Sequence, residues 1–159
     1  MGVIDDVTLT YTKNSAVFKS DEYTIYTRLI TGNYFPYQKM FTDGEINTCA
    51  SRTALIGAMT RAKMCTEEKQ PAVFQIEDDV LNISIRDKLA DYQEQVPLQE
   101  TVCKSIRLGF DSKLVLETLK AFTCDNIALG FTSPRTPMIV EAEDSDMKAM
   151  VLPVAIREA

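Results

Sequence analysis

Enzymatic chemistry usually starts from a nucleophile with a base beside it, or from a metal, and this chain is poor in both. It has no histidine, which removes the commonest general base and every Ser-His or Cys-His arrangement. Its four cysteines, Cys49, Cys65, Cys103 and Cys124, lie 16, 38 and 21 residues apart. That spacing contains no Cys-x-x-Cys hook for zinc. They read as reduced thiols, mostly buried, behaving as small hydrophobes. Two acidic groups remain, Glu77-Asp78-Asp79 and Glu141, Glu143, Asp144 and Asp146, which in principle could hold a divalent cation for hydrolysis. The first lacks the Asp-x-Asp-x-Asp-Gly spacing of a calcium loop, and both fall where turns between strands are expected. Solvated turns are the simpler expectation, so no catalytic residue, no metal and no cofactor is assigned, and a small metal-dependent hydrolase is only an alternative.

The bases are distributed with more purpose. Net charge is −6, which taken alone argues against a nucleic-acid partner. Yet residues 51–65 carry Arg52, Arg61 and Lys63 and no acid, whereas residues 76–100 carry seven acids against Arg86 and Lys88. At 100° per residue, the polar face of a helix over 51–65 is Thr53, Gly57 and Thr60, flanked by those three bases. A second helix presents Lys113, Glu117 and Lys120. Mildly basic helix faces of this kind touch phosphates loosely and without sequence preference, and ordinary solvated helices also look like this.

Apolar periodicity supplies the elements that would carry these groups. Residues 7–30 alternate apolar and polar, with turns at Asn14-Ser15 and Ser20-Asp21, and predict three antiparallel strands. An aromatic cluster, Tyr34-Phe35-Pro36-Tyr37, follows, and Thr42-Asp43-Gly44 predicts a domain junction. Then a pattern occurs twice. The first round is a strand Ile46 to Cys49, a helix Ser51 to Cys65 with Ala54, Leu55, Ala58, Met59 and Ala62 on one stripe, and strands Ala72 to Ile76, Val80 to Ile85 and within Asp91 to Val102, interrupted by Pro97. The second is a strand Ser105 to Phe110, a helix Ser112 to Phe122 with Leu114, Val115, Leu119 and Phe122 inward, and strands Ile127 to Phe131, Met138 to Ala142 and Lys148 to Ile156. Two strand-helix-three-strand rounds, with helices on one face of an antiparallel sheet, make an α+β layer.

The chain closes on Met150-Val151-Leu152-Pro153-Val154-Ala155-Ile156. Terminal residues fray unless something ties them down, so the run predicts a last strand. Pro153 pushes that strand to an edge or marks where its pairing stops. No apolar run approaches the roughly 18 residues of a membrane span, and the first residues lack the basic and apolar regions of a signal peptide. The expectation is a cytoplasmic, globular protein without a membrane partner.

Taken together, the stretches YTRLITGNYFPYQKMF (26–41), ASRTALIGAMTRAKM (50–64), LGFDSKLVLETLKAF with CDNIALGFTSP (108–134) and MVLPV (150–154) resemble the C-terminal part of the bacterial DNA polymerase III beta subunit family, the sliding clamps. The resemblance runs in register from about Val7 to Ile156. It implies a DNA-clamp fold with the sheet outside and two helices on the inner face. Residues 1–41 would be the last strands of a second domain and residues 44–159 a complete third. It also implies a non-enzymatic processivity factor that tethers the replicative polymerase to double-stranded DNA without sequence preference. Arg52, Arg61, Lys63, Lys113 and Lys120 would face the DNA.

A hydrophobic cleft for linear peptide motifs of polymerase and clamp-loader subunits would include Phe35, Lys39, Met40, Leu114, Arg135, Pro137, Val151, Leu152, Pro153 and Val154. Head-to-tail self-association in a full-length parent would use surface near Met64 and Cys65. Asp111 stands where the family often has asparagine. A free-standing peptide-binding or regulatory module that keeps the cleft without a ring is the second alternative.

Overall fold

The computed structural model describes residues 6–65, 70–86, 91–142 and 145–156. The expectations that touch Met1 to Asp5, Asp87, Lys88, Glu143 and Asp144 lie outside the described residues. Contacts divide the chain into two compact units, Met1–Pro36 and Tyr37–Ala159.

The first unit is an antiparallel meander of β1 (Thr8–Tyr11), β2 (Ser15–Lys19) and β3 (Thr24–Arg28). Its turns close tightly, with Thr12 N donating to Ser15 O at 2.8 Å and Ser20 N to Tyr23 O at 2.8 Å. Register sets Leu9, Phe18 and Ile25 side by side on one face and Thr10, Val17 and Tyr26 on the other. Among the unit's described residues only Ala16 is buried. A three-stranded sheet that buries one alanine gains very little from hydrophobic burial.

In the second unit a short 3-10 turn, Tyr37–Met40, precedes β4 (Ile46–Ser51), α1 (Arg52–Met64), β5 (Ala72–Arg86), β6 (Asp91–Phe110), α2 (Ser112–Ala121), β7 (Asn126–Phe131), β8 (Met138–Ala142) and β9 (Ser145–Val151). These strands form one six-stranded sheet in the order β5-β6-β4-β7-β8-β9, with every recorded pairing antiparallel. Each helix begins on a side-chain cap that satisfies otherwise orphaned amides. Ser51 accepts from Ala54 N at the start of α1, and Asp111 accepts from Lys113 N and Leu114 N at the start of α2.

The helices pack on each other, α1 over β4, β5 and β6 and α2 beside β9. On α1 the buried stripe is Leu55, Ala58, Met59 and Ala62, and on α2 it is Val115, Leu116 and Leu119. Beneath them lie Phe74, Phe110 and Phe131, all nearly without exposure, with Phe74 and Phe110 edge to face at 5.1 Å between centroids. This α+β layer, two helices on an antiparallel sheet, is the one expected.

Several expected boundaries fuse or move. Glu77-Asp78-Asp79 is not a turn between two strands but a bulge inside the continuous β5, where the pairing register shifts on both sides of Asp78 and its φ is +52°. An extra residue in a bulge needs this unusual backbone, and aspartate tolerates it. Pro97 does not interrupt its strand. It lies within β6 opposite Val80, directly after that register shift, where a missing ladder donor does least harm. The strand expected at 105–110 is the second half of the same β6. Lys148 to Ile156 is not one strand, since β9 ends at Val151. Leu114 points outward and is 50% exposed. Cys103 is exposed, while Cys49, Cys65 and Cys124 are half-buried, all four as free thiols.

If the three phenylalanines hold the second unit together, Phe110→Ala should lower its unfolding free energy by roughly 3–5 kcal/mol, measured by urea denaturation. Amide exchange in β1 to β3 should be at least about tenfold faster than in β4, β6 and β7, because local opening follows buried contact density.

Candidate functional site

The last residues leave the sheet in a defined way. Val151, buried, pairs with Met138, and there the β8–β9 ladder ends. Pro153 has no amide hydrogen to donate, and the chain crosses instead to β6, where Val154 N donates to Gly109 O at 2.8 Å. So the tail is tied at both ends, to β8 and then to β6. Crossing so close is possible because residue 109 has no side chain. A Cβ there would stand 2.8 Å from Val154 O and 3.0 Å from Ile156 Cγ1.

This arrangement concentrates exposed apolar groups. Leu152 and Val154 keep 57% and 41% of their surface open, and Gly109 lies just ahead of Asp111 and α2, on whose first turn Leu114 is equally open. Pro137, half-buried, precedes Met138 and so leaves the ladder beside Leu152. Arg135 is exposed in the β7–β8 loop, which is held by Ser133 N donating to Thr136 Oγ1 at 2.9 Å and Thr136 N to Ser133 O at 3.2 Å. The second unit therefore brings Leu114, Pro137, Leu152, Pro153 and Val154 to one end of the sheet. Val151 supports them from the core rather than offering surface. Lys39, exposed, and Met40, half-buried, lie in the 3-10 turn, whereas Phe35, exposed, belongs to the first unit.

On the helices the five bases do not share one role. Arg52 is half-buried: its Nε donates to Cys124 O at 2.6 Å and its backbone N to Asp125 O at 2.9 Å, pinning the start of α1 to the loop after α2. Arg61 grips Glu94 of β6 through two hydrogen bonds, Nε to Oε2 at 2.8 Å and a second from its other nitrogen to Oε1. Tyr92 OH lies 2.9 Å from Ala58 O and also within reach of Glu94. Arg61's hydrogen bonds first, and the Tyr92 hydroxyl next, hold the Glu94 carboxyl down from the ordinary 4.5 to about 2. Both arginines thus have partners within the chain, Arg52 half-buried and Arg61 with its side chain still 56% exposed. Lys63, Lys113 and Lys120 are exposed.

The acidic groups form no metal cluster among the described residues. Glu141 lies in β8, not in a turn, and takes a 2.7 Å hydrogen bond from Lys148 Nζ. A shallow cavity of about 270 Å3 lies over β4, β7 and β8, lined by Asp43, Asn47, Ala128, Gly130, Ile139 and Glu141 among others. None of the apolar tail residues lines it. No described helix is long and apolar enough to cross a membrane.

A six-stranded antiparallel layer carrying two packed helices, with exposed apolar side chains where its last strand ends, defines the class of fold to which the chain belongs. The family model for the DNA polymerase III beta subunit, C-terminal domain, matches residues 41–155, and the chain belongs to that family, whose members are accessory subunits rather than enzymes. It is 22% identical over 158 residues to the beta sliding clamp of Streptococcus pneumoniae, covering 97% of this chain and 42% of that protein. To the beta sliding clamp of Staphylococcus aureus it is 23% identical over 155 residues, covering 94% and 41%. The DNA polymerase sliding clamp of Caulobacter crescentus superposes with a TM-score of 0.85 at 14% identity, over 94% of this chain and 41% of that one. The chain thus spans less than half the length of these relatives.

Gly109, Tyr92 and Glu94 are the structural determinants that sequence reasoning missed. A glycine near the end of a strand, ahead of a helix cap, is a signal for close backbone approach, though it does not say what approaches. Gly109→Ala should abolish exchange protection at the Val154 amide and leave β4 and β7 protected, as read by NMR hydrogen exchange. The lowered Glu94 carboxyl contributes stability that is complete above about pH 4.5 and is lost as pH falls toward 2, an effect damped by its 26% side-chain exposure. Unfolding midpoints measured over that window should fall with pH, and Glu94→Gln should remove part of the slope while lowering stability at pH 7.

Proposed function

We propose that this chain is a portion of a DNA sliding clamp, in which a parent ring tethers the replicative polymerase to duplex DNA and the notch beside the last strand receives linear peptides from polymerase and clamp-loader subunits. The observation that carries the peptide reading is the exposure of Leu114, Leu152 and Val154, at 50%, 57% and 41%, beside a tail whose path is fixed. Large apolar side chains left open in a group mark a binding surface. Extended peptides favour grooves of apolar pockets lined by a few polar groups and lying near strand ends. Arg135 and Lys39 would give such a groove a cationic rim for an acidic or C-terminal carboxylate group on the client.

Family membership and the basic helix faces support the DNA reading. A closed ring needs no tight grip, and weak, sequence-independent phosphate contacts permit movement along the duplex. Met64, 81% exposed at the end of α1, is the surface on which head-to-tail assembly of the parent would draw. A soluble, cytoplasmic setting accords with this role.

A fluorescent peptide of the Gln-Leu-x-Leu-Phe type should bind the chain saturably in an anisotropy titration. Leu152→Asp should weaken that binding at least about tenfold, since a carboxylate would be desolvated in an apolar notch. Absence of binding at high micromolar peptide, with the wild-type fold verified by circular dichroism, would exclude the cleft.

A further inference from the structure

We infer that Asp111 sets the charge preference of the proposed peptide site, so that a client is held best when it carries a lysine or arginine where it passes the start of α2. This rests on the reading that the exposed group of Leu114, Leu152 and Val154 receives an extended peptide. Asp111 stands between the two halves of that group. Two residues before it, at most about 7 Å of chain, Gly109 O holds the tail by accepting from Val154 N at 2.8 Å. Three residues after it comes Leu114, whose backbone N donates to Asp111 Oδ1 at 3.3 Å. The same oxygen accepts from Lys113 N at 2.8 Å. Capping therefore occupies one carboxylate oxygen. Among the described residues the other has no hydrogen-bond partner, and the side chain is in no ion pair. The residue is exposed.

The sign of this charge matters more than its size. With an uncharged cap, the free amides of the first turn would give the start of α2 about half a positive charge. A full carboxylate at the cap reverses that sign. Lys113 and Glu117 are also exposed, but they lie one turn apart on the flank of α2 and offset each other, which leaves Asp111 as the net charge beside Leu114. At the other end of the tail the charge is opposite. Arg135 is exposed, three residues ahead of Met138, the ladder partner of Val151, and among the described residues it is in no ion pair. From Val151 to Val154 is roughly 10 Å of extended chain. A peptide lying along the tail would thus pass a cation at the Leu152 end and an anion at the Val154 end, with apolar contacts between them. The client chemistry that fits is an apolar core with an acidic group at one end and a basic group at the other.

The test is a fluorescence anisotropy titration of the whole 159-residue chain at low salt. Four peptides of the Gln-Leu-x-Leu-Phe type are compared, each carrying a single lysine or glutamate either before the glutamine or after the phenylalanine. At one of the two flanks lysine should bind about fivefold more tightly than glutamate, the scale of an exposed charge pair, and the difference should fade in about 0.5 M salt. Asp111→Asn should abolish that preference. Asparagine caps a helix about as well as aspartate, so the variant's thermal midpoint should hardly move, and loss of the preference then reports charge rather than folding. Glutamate bound as tightly as lysine at both flanks, or a lysine preference that survives in Asp111→Asn, would overturn the inference and leave the peptide site standing. No binding of any of the four peptides would overturn both.

Discussion

One backbone hydrogen bond, from Val154 to Gly109, decides what the end of this chain can be. Without it, Leu152 to Ile156 would be a frayed terminus carrying apolar side chains in no fixed place. With it, the tail is suspended between β8 and β6, and its outward residues stand beside the first turn of α2. The bond depends in turn on the missing side chain at 109, because any Cβ would collide with the Val154 carbonyl. Local backbone chemistry, a proline that cannot continue a ladder and a glycine that permits a close crossing, therefore fixes the path of the tail on which the proposed peptide site depends.

A second constraint governs the helix layer. The helices must lie on the sheet through their small and aliphatic faces, Ala58, Ala62, Met59 and Leu55 on α1 and Val115, Leu116 and Leu119 on α2. Their polar edges need anchoring, and α1 obtains it from its own arginines. Arg52 fastens its start, and Arg61 with Tyr92 and Glu94 fastens its last turns to β6. The two arginines of α1 therefore help to hold the helix, while Arg61 remains exposed, as do Lys113 and Lys120 of α2. The first unit has no comparable core. Its meander buries only Ala16 among described residues, and its order rests on ladder hydrogen bonds and tight turns.

Much of this architecture was legible in the sequence. Apolar stripes located both helices, and the twofold strand-helix-three-strand order came from periodicity. What periodicity could not show was continuity. Glu77-Asp78-Asp79 has turn composition, yet its left-handed residue serves a bulge, because β6 on the far side keeps pairing past it. Pro97 reads as a break for the same reason, that a one-strand view omits the partner. Charge pairing across the chain was out of reach for a similar reason. A helical wheel shows which way a stem leaves the helix but not where a long guanidinium ends, and the carboxylate that captures Arg61 lies 33 residues away. Similarly, Leu114 falls on the apolar side of α2 by spacing, while the tail and the helix end leave it uncovered.

The central claim is that the pinned tail and the start of α2 form one apolar receptor. Methyl-region NMR of the chain, with leucine and valine methyls labelled and a Gln-Leu-x-Leu-Phe peptide added, measures it most directly. The account requires saturable shifts centred on Leu114, Leu152 and Val154, with core methyls such as Leu55 and Leu119 nearly still. Saturation accompanied by shifts elsewhere, with those three methyls unmoved, would contradict it.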